Sequence, residues 1–201
     1  MPKGRSGLHS VFLLLGEPLA IDLVNTLVPT AYGGDLVATR NRVLEWLQAE
    51  ATRLPANELE PPEVEDLVGL REALRSLFSA ALDGTTPPAG PLRMVNSATR
   101  AGARYVELEW KAGGGPRARP HPARRGHGGR PGVALLAEIA RSGIELLGGP
   151  DRDKLRRCSG PGCSLLFVAT NLQRRWCAGR LCGNRVRVAR HYDRTRRTVF
   201  P

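Results

Sequence analysis

Cysteine is missing from the first 157 residues, and no apolar run is long enough to span a bilayer. The best early candidate, Val11–Leu15, is cut off by Gly16, Glu17 and Pro18 and is too short for a signal peptide. These absences argue against a membrane partner and against a secreted scaffold held by disulfides. They point to a cytoplasmic, reducing setting. Aromatic residues make up 5% of the chain, which leaves few platforms for stacking single-stranded bases and disfavours RNA. No H-E-x-x-H, G-x-S-x-G or phosphate-loop pattern occurs, so a binding protein is expected rather than an enzyme. Lysine is scarce too: Lys3, Lys111 and Lys154 are the only ones among 30 basic residues.

What is present is arginine, unevenly placed. The 201 residues carry a net charge of +11. Arginine alongside much Ala, Gly and Pro is what GC-rich coding produces, so the location of the charge says more than its total. Residues 151–201 hold thirteen Lys/Arg against three Asp/Glu, whereas residues 1–150 are almost balanced. Codon usage does not explain missing acids. A near-neutral body, 1–150, followed by a basic module, 151–201, favours an anionic partner for the module.

The body reads as mainly helical. Leu19, Leu23 and Leu27 recur every four residues, with Ile21 and Val24 beside them, before Pro29. Asp22, Asn25 and Thr26 share one face of that helix; such a face is solvated or hydrogen-bonds a neighbouring segment more often than it lines a ligand pocket. Further helices are expected over 39–50, from Pro61 to Asp83-Gly84, over 92–100 and over 133–147. Tyr105–Trp110 alternates, with Val106, Leu108 and Trp110 on one face, and reads as a half-buried strand. Residues 112–132 contain only Gly, Pro, Arg, His and Ala, so a mobile loop is expected there, with His121 and His127 as compositional rather than metal-binding residues. Gly148-Gly149-Pro150 marks the boundary. The helices around 19–27, 63–82 and 133–147 are apolar enough to form one core without the module.

The chemistry sits in the module. Cys158 and Cys163, then Cys177 and Cys182, make C-x4-C, a gap of thirteen, and C-x4-C. Two short loops, each offering a thiolate pair, suit a tetrahedral structural Zn2+ site if the chain folds back. Four cysteines close such a site, so His191 reads as a helix-surface residue. Leu165–Val168 between the pairs reads as a strand edge. After Cys182, one helix is expected, with Arg187, Arg190, Arg194 and Arg197 as a basic stripe and Val186, Ala189 and Tyr192 against the zinc loops. Arg174, Arg175 and Arg185 complete the nucleic-acid-binding candidates; Arg185, beside Cys182, also reads as a brace for the loops. A metal that fixes the start of a basic helix is a recurrent way to present it to DNA.

The strings Arg174-Arg-Trp-Cys177, Cys182-Gly-Asn-Arg185 and Arg190-His-Tyr192 resemble the CGNR zinc finger. Leu-Ala-Ile-Asp-Leu-Val-Asn-Thr-Leu at 19–27 resembles the opening of the ABATE domain that precedes it in bacterial proteins. The resemblance implies a family of stress-induced transcription regulators, with a DNA-binding finger and a body that dimerises or senses a signal. It also implies a second strand beside 105–110, where this chain has its Gly/Arg/Pro tract, and an acid at position 169, which is Ala here. The alternatives are a zinc-stabilised protein-interaction module or a generic RNA or polyanion binder.

Overall fold

The computed structural model describes residues 12, 16–54, 62–100, 102, 105–111, 115–121, 131–189 and 192. Its order is α1 (Leu19–Val24), α2 (Arg40–Ala49), α3 (Val64–Asp83), α4 (Ala89–Arg100), β1 (Tyr105–Lys111), β2 (Gly115–His121), α5 (Pro131–Gly148), β3 (Leu155–Arg157), β4 (Leu166–Val168) and α6 (residues 184–189). The protein is mainly α, with two antiparallel strand pairs.

The helices form for local reasons. Thr39 caps α2, its side chain accepting from the Arg42 amide at 3.4 Å. The first turn of α3 carries Glu65 and Asp66, which suit the positive end of the helix dipole. Leu67, Leu70, Leu74, Leu77 and Phe78 of α3 are buried against α1, α4 and α5. Each such side chain contributes about 1.5–3 kcal/mol relative to exposure.

α1 ends at Val24, shorter than the apolar spacing suggested. The Thr26 hydroxyl donates to the Leu23 carbonyl at 2.7 Å and closes the turn. The chain then loops back, so that Leu27 bridges Asp35. Arg71 of α3, 2% exposed, clamps this loop. Its two terminal nitrogens donate to the two Asp35 oxygens at 2.6 and 2.7 Å. That fork holds the Asp35 carboxyl below its ordinary range.

The tract expected to be a loop is in part a strand. β2 pairs along the whole of β1, with Leu108 opposite Ala118 and Glu109 opposite Arg117. Small and polar residues alternate here, so only Pro116 and Ala118 need turn inward, while Arg119 pairs with Glu109 at 3.0 Å. A large side chain is not required, because α5 approaches closely: a Cβ on Gly148 would lie 2.1 Å from the Ala118 nitrogen. Composition alone could not show that the missing bulk is supplied by the neighbour. Residues 122–130, with His127, lie outside the described residues.

Asn96 of α4 fixes the hairpin. Its amide donates to the Leu108 carbonyl at 3.0 Å, and its oxygen accepts from the Leu108 amide at 2.7 Å. Asn25 treats β4 the same way, with 2.9 Å bonds to both backbone groups of Leu166. Through Leu155, Leu165, Leu166 and Phe167 the apolar core of the body continues into the C-terminal module.

Asp22 and Glu50 share a buried corner at the other end of α1. Arg53 reaches Asp22 at 2.6 Å and Glu50 at 3.0 Å. Burial pushes Asp22 up to about 6 and Glu50 up to about 7; the Asp22 carboxyl raises Glu50 further, as Glu17 does Asp22.

Candidate metal centre

β3 and β4 form a short hairpin whose turn carries the first cysteine pair. The Cys158 amide donates to the Leu165 carbonyl at 2.9 Å, and the Cys163 amide to the Gly160 carbonyl at 3.0 Å. The chain returns through Asn171–Trp176 to Cys177. Cys182 lies in the wide turn Gly179–Gly183, which runs directly into α6.

The four sulfurs, of Cys158, Cys163, Cys177 and Cys182, all lie within 4.8 Å of one another, and none is in a disulfide. A Zn–S bond of about 2.3 Å gives a tetrahedral edge of about 3.8 Å. The Cys177–Cys182 sulfur separation is 3.6 Å. The cluster is nearly sealed: Cys158, Cys177 and Cys182 are buried, and Cys163 is partly exposed. Amides support the sulfurs. Gly160 and Cys177 N–H groups donate to the Cys158 sulfur at 3.4 and 3.3 Å, and the Arg185 guanidinium approaches that of Cys182 at 3.5 Å. Gly160 has to be small, since a Cβ there would sit 2.9 Å from the Cys182 sulfur. The sulfurs also perturb one another. Hydrogen bonding with Cys177 pulls the Cys163 thiol down to about 5, that bond pushes Cys177 up, and burial pushes Cys182 up to about 12. Four thiols so close are a donor set for a soft-ligand dication.

The candidate arginines divide. Arg174 is turned inward. It donates to the Val168 and Trp176 carbonyls at 3.2 Å each and to Glu17 at 2.8 Å, with its guanidinium 4.4 Å above the Phe167 ring. Arg185 joins the two halves, bonding the Pro161 carbonyl at 2.9 Å and the Tyr32 hydroxyl of the body. It is the brace its position beside Cys182 suggested. Arg175 and Arg187 are exposed, the latter donating to Asn184 at 2.8 Å. Arg190, Arg194 and Arg197, with His191, lie outside the described residues. Ala189 and Tyr192 are exposed rather than packed on the zinc loops; Val186 is half-buried.

Three residues with a part in this region escaped the sequence reading. Arg180 is exposed within the second cysteine loop; a basic residue between two ligands was the available signal. Glu17 accepts from the Val168 amide at 2.9 Å as well as from Arg174, and Tyr32 receives Arg185. Neither left a pattern, because the partner is a backbone group in one case and more than a hundred residues away in the other.

The family model for the CGNR zinc finger matches residues 154–195, and that of ABATE, described as "Putative stress-induced transcription regulator", matches residues 17–150. The chain belongs to the ABATE family. Its CGNR finger is a zinc finger, and the four clustered sulfurs fit that metal. The Asp22, Asn25 and Thr26 face of the ABATE opening is buried and bonds neighbouring segments, among them the finger strand β4. Comparison with curated proteins finds no match. Among the described residues no helix is long and apolar enough to cross a membrane.

Proposed function

We propose that this protein is a cytoplasmic, DNA-binding transcription regulator of the stress-response type, whose zinc finger contacts the duplex and whose body dimerises or senses a signal. The observation that carries the reading is net charge: residues 151–201 hold thirteen Lys/Arg against three Asp/Glu, whereas residues 1–150 are almost balanced. In the body, Arg42, Arg75, Arg119 and Arg141 each pair with an acid, while Arg40, Arg93 and Arg117 are exposed without one among the described residues. In the finger, among the described residues, Arg175, Arg180 and Arg187 are exposed without an acidic partner. In the finger such groups have few acids beside them, which suits phosphate contact, a source of affinity without sequence preference. The chemistry is binding, not catalysis.

The test is a titration of the zinc-loaded full chain with duplex DNA at several salt concentrations. If about four phosphates are neutralised, log affinity falls with log salt at a slope near −3.6. Arg187→Ala is expected to weaken binding to all sequences and to flatten the slope by about 0.9. Binding without salt dependence, or none at low salt, rejects DNA and favours an acidic protein partner.

A further inference from the structure

The finger and the body do not close completely. Between the Pro29–Tyr32 turn and the Gly179–Gly183 turn lies a cavity of about 230 Å³. Pro29, Leu165 and Leu181 give it apolar walls, and the sulfur cluster lies at its base. Its polar side chains are Arg180, Arg185 and Tyr32; among the described residues no carboxylate lines it.

Two features define what fits. The polar groups are donors: two guanidinium groups, and a tyrosine hydroxyl that already accepts from Arg185 and keeps its own proton to give. The Arg185 Nε is buried and has no hydrogen-bond partner among the described residues, the kind of group that an acceptor would satisfy. Charge then narrows the class. Four thiolates around a dication leave a charge of about −2, which the two guanidinium groups offset, so the cavity has no net charge with which to hold a carboxylate or an ammonium.

We infer that this cavity binds a small uncharged molecule with an apolar body and one oxygen acceptor, of the class of a simple aromatic amide or ketone. The apolar part lies between Pro29, Leu165 and Leu181, and the oxygen accepts from the arginines. Such a ligand touches both halves at once and fastens the finger to the body. The inference stands whether or not the finger binds DNA.

The experiment is nitrogen–proton correlation spectroscopy on the zinc-loaded full chain, titrated separately with benzamide, benzoate and benzylamine. Benzamide is expected to give saturable shifts at the Leu165 and Leu181 amides, benzoate weaker ones, and benzylamine none. Leu181→Trp fills the cavity and should abolish the benzamide shifts while zinc is retained. Should that variant lose its zinc, Arg180→Met decides: it removes an exposed donor, and benzamide affinity should drop. The proposal is overturned by non-saturable benzamide shifts, by tighter binding of benzoate or benzylamine, or by unchanged benzamide affinity in the zinc-loaded variant that decides.

Discussion

Arg174 and Arg175 are neighbours with opposite fates. Arg174 is held by three carbonyls, a carboxylate and a ring, whereas Arg175 is exposed. Arg174→Ala is therefore expected to lower stability by about 2 kcal/mol, the worth of charge-assisted bonds, in chemical denaturation. Arg175→Ala should leave the melting curve in place and act on DNA affinity alone. The buried Asp22–Glu50 pair gives a pH prediction with a definite sign. Both carboxyls have folded pKa values raised above their unfolded ones, to about 6 and about 7. Their stabilising protonated form is fully present below about pH 4 and is lost as pH rises through 6 to 7. Denaturation midpoints should fall over that interval, and Glu50→Gln should flatten the fall. A midpoint that rises with pH in both proteins would refute the assignment. Arg53 faces this pair, as does Glu17, which adds to the repulsion at Asp22.

At the level of elements, helices were legible wherever an apolar face met the core. α2, α3, α4 and α5 lie within about three residues of the spans that periodicity marked, because burial and spacing are one property there. The zinc loops were legible for a different reason: four soft donors in paired gaps have few other uses. β2 was not legible. A strand of Gly, Pro, Arg, Ala and His has no apolar face of its own, and its place depends on Gly148 of α5. Gly148→Val puts side-chain atoms where the Ala118 backbone lies, and a Cβ alone would be 2.1 Å from that nitrogen. The variant is expected to detach the hairpin while leaving α3 and the finger intact. Proteolysis would then cut near residues 112–121 faster than in the parent. Equal rates of cutting would show that the close approach is not what holds β2.

For the whole molecule, charge and composition divided the chain near residue 150: the four cysteines and the excess of basic over acidic residues lie on one side, and a nearly balanced charge on the other. What the sequence could not show is how the two parts are joined. Asn25, Glu17, Tyr32 and Asp83 of the body meet Leu166, Arg174, Arg185 and Arg157 of the finger. We expect residues 1–150 alone to keep their helical circular dichroism but to melt below the full chain, since Asn25 and Glu17 lose their partners. A strong chelator added to the full chain should lower its melting temperature in the same direction, because the zinc loops carry β3 and β4 into the shared core. If the fragment melts at the temperature of the full chain, the contacts across residue 150 contribute nothing.

Asn25 has one more consequence, for how this protein varies over time. Its two bonds go to the backbone of Leu166, and every residue except proline offers that same N–H and C=O. The requirement is thus one-sided. Among related chains, position 25 should stay fixed while position 166 drifts among apolar residues, and the two should show no covariation although they touch. A reader of pairwise sequence statistics would miss the tie that fastens the finger strand to the first helix.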